Sequence, residues 1–533
     1  MSRSKAARRV HARPAARPQR VSQSPAAETA ATDQPTPGLR VSLPGRRFCV
    51  ADLVLAAFVL GWLTYIMVST RHAEFIASDD AFISFQYARN LARGYGLVFN
   101  PGEHVWGFTS PLQTLVLGSL TACGLETVRT AFFTGFLWVA LGSVLLYRLS
   151  LQFLPPTMAL LLSVFFLLDC AQHGSYALES NFLIATQLAF LLAATTNKGA
   201  LANILAALSC LVRPDSLLLV APVLVMGRET RRLRNLAWFV GIGLAWEGFA
   251  LLYYRELVPN SYHAKLGLTR FGPFLNNAVK TITGLTFSEP LGFAREPSSI
   301  QRGIVLLLSL LPLLNQELRR RSAVLYALVP YPFLLVAAYS TIGSFPGHNW
   351  EFYSAQFFLR VSALVGLLSL AVVVAARFRV PLALRRVAAI AVFAFVLADG
   401  ALQTQALARS LTAENTAYWS GARYATYRGL ADWANHNIPR GSTVAISEAG
   451  TFAYYADVHV IDVSGIVTRG YLPAERMNHR RFMLRFAPSY AVVYGNQKTA
   501  SLSPTLRYER LAYFPKQGFE DLSLLVQRPA APR

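Results

Sequence analysis

The stretch Gln356–Ala375 reads QFFLRVSALVGLLSLAVVVA and carries one charged residue, Arg360. It is long enough to cross a bilayer core, which takes about 20 apolar residues in a helix. In lipid, only helices and closed barrels satisfy all the hydrogen bonds of their backbone. Barrel strands alternate apolar and polar residues over about 10 residues, whereas this block is uniformly apolar. Similar apolar blocks recur at Leu53–Val68, Ala131–Leu146, Pro156–Leu168, Asn235–Leu252 and Ala323–Ala338. The sequence therefore predicts a polytopic α-helical membrane protein.

The composition agrees with this class of fold. Of the 533 residues, 53% are hydrophobic and 15% are charged, whereas soluble domains carry about 25% charged residues. In a soluble protein, a net charge of +22 would suggest binding to nucleic acid. Here the cations lie mostly in a tail and in short loops, which is the pattern that sets the orientation of membrane proteins. We therefore expect no nucleic-acid partner. The four cysteines do not have the spacing of metal ligands, so they are interpreted as small hydrophobic core residues; they are Cys49, Cys123, Cys170 and Cys210.

Basic loops predict the orientation of the chain, because lysine and arginine are retained on the cytoplasmic side. The clusters are Arg40–Arg47, Arg228–Arg234, Glu317–Arg321 and Arg377–Arg386. Placing them inside gives about eleven spans, with the N-terminus on the cytoplasmic side of the membrane and the C-terminus on the outer side.

Three apolar segments are shorter than a full span. Leu201–Leu211 and Leu217–Met226 are expected to form a short hairpin around Arg213-Pro214-Asp215, or to include flanking residues. The segment Pro111–Gly124 is interpreted as a juxtamembrane helix, since counting it as a span would invert every later loop against its charge.

The chain divides into three predicted regions. Residues 1–48 form a basic cytoplasmic tail that is too poor in large apolar residues to fold. Residues 49–405 form the membrane domain, whose first outer loop covers residues 71–110. Residues 406–533 form a soluble extracytoplasmic α/β domain. Its strands are predicted at Ser442–Ser447, Val458–Val463, Tyr490–Tyr494 and Leu522–Gln527, and its helices at Tyr418–Asn435 and Leu472–Phe486.

Two adjacent carboxylates, Asp79 and Asp80, follow the first span directly. Two adjacent carboxylates beside a span are costly to bury, so their presence needs a reason. One carboxylate can act as general base toward a hydroxyl, or the pair can hold a divalent cation against a phosphate leaving group. The alternative is helix capping, in which Ser78 or Asp79 caps the next helix and Asp80 favours its dipole.

The run Ser78–Leu112 resembles the first outer loop of the GT-C superfamily of polytopic glycosyltransferases. More narrowly, it resembles the family of the mycobacterial terminal β-(1→2)-arabinofuranosyltransferase and its bacterial relatives. Those proteins carry runs of the type DDAYISFRYARNL, GxGLVFNPGE and GYTNPLW, and this chain keeps their order, with Phe82 for Tyr and Gln86 for Arg. Further segments match in order at Tyr176–Ser180, Leu211–Asp215, Leu257–Lys265, Glu448–Gly450 and Val460–Gly465.

The resemblance implies transfer of a sugar from a polyprenyl-phosphate donor, with the catalytic aspartate at Asp79 and Asp80 beside it. A donor phosphate needs fixed cations near the interface, and the candidates are Lys265, Arg255, Arg360 and Arg89. The alternative for such cations is snorkelling toward lipid headgroups. Asn260 shares the matched motif of Lys265.

Two further polar residues are candidates for substrate binding. Glu179 is a possible second acidic group facing Asp79, or else an acidic residue at a helix N-terminus. His348, beside Asn349 and Trp350, suits either sugar binding or an interfacial aromatic belt.

The sequence thus predicts a membrane glycosyltransferase that moves a sugar from a polyprenyl-phosphate donor to a hydroxyl of a cell-envelope glycan or lipid. The reaction would take place on the outer face of the membrane. No cofactor is required by this interpretation, although a divalent cation is compatible with it. The alternatives are a transporter of lipid-linked glycans, for which no clear internal repeat is visible, and a non-catalytic envelope or motility scaffold.

Overall fold

The first predicted span is a helix, α1 (Val50–Ser69), in the computed structural model of the chain. The structure describes residues 49–173, 176–265, 275, 279, 282, 299–316, 325–342, 349–411, 419–470, 479–495, 507–515 and 521–528. The predicted tail, residues 1–48, and the candidate His348 lie outside the described residues.

Five described helices are long and apolar enough to cross a membrane. They are α1, α4 (Thr127–Ser150), α9 (Leu233–Tyr253), α14 (Tyr353–Arg377) and α15 (Leu382–Ser410). The other helices of this part of the chain are α2 (Asp79–Ala92), α3 (Pro111–Ala122), α5 (Pro156–His173), α6 (Ser180–Thr195), α7 (Gly199–Val212), α8 (Leu217–Met226), α10 (Asn260–Lys265), α11 (Ser299–Leu314), α12 (Leu325–Leu328) and α13 (Tyr331–Ile342). The polytopic helical fold is confirmed, while the span count stays a prediction.

Large apolar side chains cover the outside of these helices. Leu53 and Leu60 of α1, and Leu244 and Leu252 of α9, are all exposed. Apolar surface of this extent is unfavourable in water but favourable in contact with lipid tails. The long helices therefore present the surface that a membrane protein needs.

Helices α11 and α14 pack closely because a glycine lies between them. A Cβ atom on Gly366 would overlap the backbone oxygen of Leu308. Small residues that let helix backbones approach are typical of packing within membranes.

The predicted short hairpin is present. Helices α7 and α8 are joined by a 3₁₀ turn at Pro214–Ser216, directly after Arg213. Helix α3 has only 12 residues, which is too short to cross a bilayer. This agrees with its interpretation as a juxtamembrane helix.

The C-terminal domain, defined here as the described residues of 419–528, carries a five-stranded sheet. Its helices are α16 (Trp419–Asn437), α17 (Gly450–Tyr455) and α18 (His479–Phe486), and its strands are β1 (Thr443–Ile446), β2 (His459–Asp462), β3 (Tyr490–Tyr494), β4 (Arg507–Phe514) and β5 (Leu522–Arg528). The strand order is β2-β1-β3-β5-β4, in which β2, β1 and β3 are parallel and the β3–β5 and β5–β4 pairs are antiparallel. Four of the five strands and the α/β class match the sequence prediction.

The first loop, residues 71–110, and the C-terminal domain share one hydrophobic core. Tyr87, Phe99 and Phe108 of the loop region are buried in the same cluster as Phe452 and Leu524 of the domain. Two segments far apart in sequence therefore fold against each other, and this arrangement surrounds the acidic pair.

Candidate active site

Asp79 connects the first loop to the C-terminal domain. Its two carboxylate oxygens accept hydrogen bonds from the backbone N–H groups of Gly450 at 2.9 Å and Thr451 at 2.8 Å. The side chain is only 5% exposed, and its negative charge lies at the positive end of α17. Asp79 thus occupies the N-terminus of α17.

The capping alternative for α2 is present only in part. Ser78 stands at the N-cap position of α2, but it makes no side-chain cap hydrogen bond. Asp79 and Asp80 lie in the first turn, where acidic residues favour the helix dipole. The capping bonds of Asp79 go to another helix, 371 residues away along the chain.

Gly450 is required for this contact. A Cβ atom at this position would overlap the backbone oxygen of Asp79, so only glycine allows the two backbones to approach this closely. The sequence motif Glu448–Gly450 therefore has a steric role.

Replacement of Gly450 by alanine should undock the C-terminal domain. Forcing extra volume into a packed contact costs about 1–3 kcal/mol, and here the obstacle is backbone. Docking here means the packing of the C-terminal domain against the first loop. It would be measured as the distance between spin labels attached to cysteines at the exposed positions Tyr95 and His436. The exposed Cys123 would be replaced by serine so that it does not take up a label.

Gly429→Ala is the matched control for that experiment, since a Cβ atom there meets nothing within 4 Å. An unchanged, narrow distance distribution in Gly450→Ala would contradict the steric role of Gly450.

Arg89 contacts the opposite end of the same short helix. Its guanidinium donates to the backbone oxygen of Tyr454 and, at 2.6 Å, to Oε1 of Gln86. It also lies over the Tyr454 ring, with Cζ 4.6 Å from the centroid. Burial, followed by the charge of Arg93, lowers the pKa of Arg89 from its ordinary value. Helix α2 thus holds α17 by an anion at one end and a cation at the other.

Asn100 binds the edge strand of the sheet. Its side-chain Nδ2 donates to the carbonyl of Val460 at 2.9 Å, and its Oδ1 accepts from the Val460 N–H at 3.2 Å. β2 is an edge strand, so this amide satisfies backbone groups that would otherwise face solvent. Nearby, Glu103 accepts from Asn100 at 3.0 Å and faces His459, with 3.4 Å between Oε1 and Nε2.

Docking should weaken in acid because of Glu103. The hydrogen bond from His459 is the main cause that lowers the pKa of Glu103 from its ordinary value of 4.5. A carboxyl whose pKa is lower when docked stabilises docking above its ordinary pKa and loses that contribution as the pH falls through the docked pKa.

We therefore expect docking to stay constant from about pH 7 to pH 5 and to decline below that range. The distance measurement with labels at positions 95 and 436 checks this. Glu103→Gln should decline less steeply with pH, and equal acid profiles for the two proteins would exclude Glu103 as a cause.

Asp462 shapes the loop that contacts Gly107. Its carboxylate accepts from the N–H groups of Ser464 at 2.8 Å and Ile466 at 2.7 Å. Burial raises the pKa of Asp462 against the effect of these hydrogen bonds. A Cβ atom on Gly107 would lie 2.6 Å from Cγ1 of Val467. The matched segment Val460–Gly465 thus also belongs to the docking surface.

A second charged cluster surrounds Arg213, at the turn between α7 and α8. Its Nη1 donates to Oε1 of Glu179 at 2.7 Å, and its Nη2 donates to Oδ2 of Asp215 at 2.7 Å and to the Tyr339 hydroxyl at 2.6 Å. The Tyr339 hydroxyl donates in turn to Oδ2 of Asp215 at 2.7 Å. Arg213 and Glu179 are 6% and 5% exposed, so the cluster is a buried ion network.

The sequence leaves Glu179 open between a second acidic group facing Asp79 and an acidic residue at a helix N-terminus. In the structure Glu179 stands at the N-cap position of α6, and its carboxylate pairs with Arg213. Sequence reasoning noticed the segment Leu211–Asp215 without assigning Arg213 a role, and it missed Tyr339. The available signal was a charged Arg-Pro-Asp turn between two apolar segments, which needs a buried partner.

A neutral polar chain lies beside this network. The Gln187 side chain donates to the Ser216 hydroxyl at 3.0 Å and to the Tyr331 hydroxyl at 3.3 Å, and Tyr331 pairs with Ser354 at 2.7 Å. It connects α6, the turn after α7, α13 and α14. Arg360 lies further along α14 and is 3% exposed.

The remaining candidates have simpler positions. Asp80 is half-buried next to Asp79. Asn260 begins α10, and its backbone N–H donates to the carbonyl of Trp106 at 2.8 Å. Lys265 ends that helix. Their roles in substrate binding stay predictions.

No three His, Cys, Asp or Glu side chains are grouped for metal binding within the described ranges. Both oxygens of Asp79 are engaged by backbone amides. The divalent cation suggested by the sequence stays a prediction.

Comparison with known proteins defines the class of fold. A family model described as a domain of unknown function (DUF8728) matches residues 415–527. No curated protein matches the chain. ArnT from Cupriavidus metallidurans, solved with bound undecaprenyl phosphate, has a TM-score of 0.52 at 13% identity, over 89% of this chain and 98% of that one. The oligosaccharyltransferase from Archaeoglobus fulgidus, solved with Zn and sulfate, has a TM-score of 0.50 at 12% identity, over 83% and 68%.

These structural neighbours are GT-C glycosyltransferases. The chain therefore has a GT-C-like membrane fold with a small C-terminal sheet domain. At such low identities the likeness concerns the fold.

Proposed function

We propose that this chain is a membrane glycosyltransferase that moves a sugar from a polyprenyl-phosphate donor to a hydroxyl of a cell-envelope glycan or lipid. The observation that carries this proposal is the acidic pair Asp79–Asp80 at the start of α2, the first helix after the first span of a GT-C-like fold. The undecaprenyl phosphate bound to the Cupriavidus protein supports a lipid-phosphate donor of the same kind.

The two aspartates have different surroundings, which supports different roles. Asp79 is buried and already holds two amides, so it fixes the position of the first turn of α2. Asp80 is half-buried beside it and is the carboxylate that a substrate reaches more easily. We therefore assign the general base to Asp80, in place of Asp79, to which the sequence resemblance points.

In this reaction the bond between the anomeric carbon and the phosphate oxygen breaks, and polyprenyl phosphate leaves with the electron pair. The acceptor oxygen forms the new bond to the anomeric carbon, and its proton passes to the carboxylate of Asp80. Asp79 keeps Asp80 in place, because small errors in the position of a catalytic group are costly.

The donor phosphate needs cations whose positions are fixed. Arg360 is buried within α14, so little of its rotamer freedom remains to be lost on binding. A guanidinium also suits phosphate through its planar set of donors. We assign Arg360 to the phosphate, with Lys265 at the end of α10 as its partner. Arg89 is assigned instead to the contact between α2 and α17, since its guanidinium donates to the Tyr454 backbone oxygen.

The reaction is proposed to occur on the outer face of a bacterial cytoplasmic membrane. The basic clusters before α1 and between α8 and α9 mark the opposite side. The hydrogen bonds of Asp79 to Gly450 and Thr451 support a common side of the membrane for the acidic pair and the C-terminal domain.

A comparison of donor classes tests this proposal. Purified protein in lipid would receive either radiolabelled polyprenyl-phosphate sugars or the corresponding nucleotide sugars, with envelope material as acceptor. We expect label in the acceptor only with the lipid donors. Transfer from nucleotide sugars alone would contradict the proposal.

A further inference from the structure

A cavity of about 480 Å³ lies between the first loop and the C-terminal domain. It is distinct from the apolar groove between α1, α5 and α15, which is lined almost entirely by hydrocarbon. Its polar and aromatic lining includes His72, Glu74, Glu126, Arg129, Arg428 and Tyr455. Asp80 and Arg360 are not among the described residues that line it.

Several of these lining groups are held in place before any ligand arrives. The Tyr424 hydroxyl donates to Oε1 of Glu74 at 2.7 Å and pairs with the Tyr455 hydroxyl at 3.0 Å. Arg428 lies over the Tyr455 ring, with Cζ 3.7 Å from the centroid. Such fixed groups reduce the entropy lost on binding.

Glu126 is fixed in a different way, as the N-cap of α4. Its oxygens accept from the N–H groups of Val128 at 3.0 Å and Arg129 at 2.7 Å. A carboxylate offers about four acceptor positions, so Glu126 keeps acceptor capacity toward the cavity.

The charges of the lining favour an uncharged, hydroxyl-rich ligand. Glu74 and Glu126 repel anions such as a phosphate headgroup, whereas Arg129 and Arg428 repel cations. A sugar hydroxyl both donates and accepts, so it can pair with either kind of group. Aromatic rings with a few fixed polar groups are the usual lining of small-molecule sites.

The cavity also lies at a useful distance from the acidic pair. Tyr455 is the last residue of α17, and Asp79 binds the first residues of the same helix. Six helical residues extend about 9 Å. A short oligosaccharide can span this separation.

We propose that this cavity binds neutral sugar residues of the acceptor glycan, next to the residue that receives the transferred sugar. This inference rests on the proposed glycosyltransferase function for its biological meaning, but the site itself is tested by binding alone.

The test measures binding of simple methyl glycosides to the full chain in lipid nanodiscs without a donor. Saturation-transfer NMR would be recorded with methyl mannoside, galactoside, glucoside and arabinofuranoside. Ala73 lines the cavity, and Ala73→Trp would fill it. We expect saturable binding of at least one glycoside, weakened about tenfold or more by Ala73→Trp.

Arg129→Ala is the second variant, since it removes a charged donor from the lining without adding volume. We expect it to weaken glycoside binding about tenfold. If Ala73→Trp fails to fold, the result for Arg129→Ala determines whether the cavity is the binding site. Arg440→Trp is the matched control: Arg440 is 85% exposed and pairs only loosely with Asp457, at 3.7 Å. Binding by this control should equal that of the wild type.

Absence of saturable binding by all four glycosides would overturn the inference, as would wild-type binding by both cavity variants. Failure of the glycosyltransferase proposal has a different signature. In that case no lipid donor is used, while glycoside binding and its loss in the cavity variants remain.

Discussion

Replacing Asp80 with asparagine should lower the rate of sugar transfer by about 10²–10⁴-fold, the usual contribution of a general base. The change removes the proton acceptor and keeps the size of the side chain. The contacts of Asp79 with Gly450 and Thr451 do not involve the Asp80 side chain, so the C-terminal domain should remain docked. The measurement is the initial rate with saturating donor, together with the distance between labels at positions 95 and 436.

Asp79→Asn provides the contrast. The two carboxylate oxygens of Asp79 accept hydrogen bonds from the N–H groups of Gly450 and Thr451. In asparagine one of these oxygens is replaced by an NH₂ group, which cannot accept such a bond. This variant should therefore lose both docking of the C-terminal domain and sugar transfer. Asp457→Asn, at an exposed carboxylate of the same domain, should change neither. An Asp80→Asn protein that transfers sugar at the wild-type rate would remove Asp80 from the mechanism.

Replacing Arg213 with alanine should destabilise the protein by about 3–5 kcal/mol, the cost of removing one partner from a buried ion network. The carboxylates of Glu179 and Asp215 would lose the cation that compensates them. The Tyr339 hydroxyl would lose one of its two partners in this network. Stability would be measured as the midpoint and slope of unfolding in mixed detergent.

Arg232→Ala is the matched control, because Arg232 forms a 2.8 Å pair with Glu229 at the surface, where its side chain is 44% exposed. Ion pairs at the surface contribute about 0–1 kcal/mol to the free energy of unfolding, so Arg232→Ala should change stability little. Equal midpoints for the Arg213 and Arg232 variants would show that the network around Arg213 has no net stabilising role. Arg213→Lys should lie between them, since lysine keeps the charge but not the planar set of donors.

The membrane fold was predictable because its signal is local. An apolar block of span length identifies a helix without knowledge of its neighbours, and this is how α1 and α14 were found. The strand β4 was missed for a related reason. Its sequence, RYERLAYF, mixes charges with aromatic residues, and as an edge strand paired only with β5 it needs no continuous apolar face.

The site was only partly predictable, because its contacts join distant segments. Asp79 and Asp80 stood out as charges beside a span, but nothing local reveals that the partners of Asp79 are Gly450 and Thr451. The same holds for Arg213, whose partner Tyr339 comes from a helix more than a hundred residues later. Pairings of this kind depend on how the helices assemble, which single-sequence patterns do not encode.

The most direct test of the central claim is the stoichiometry of the reaction. Wild-type protein in lipid, a doubly labelled polyprenyl-phosphate sugar and envelope acceptor would be incubated, and both products would be counted. The account predicts one free polyprenyl phosphate for each sugar joined to the acceptor, with both products formed about 10²–10⁴-fold more slowly by Asp80→Asn. Movement of the intact lipid-linked sugar across the membrane, without cleavage of its phosphate bond, would contradict it and identify a transporter.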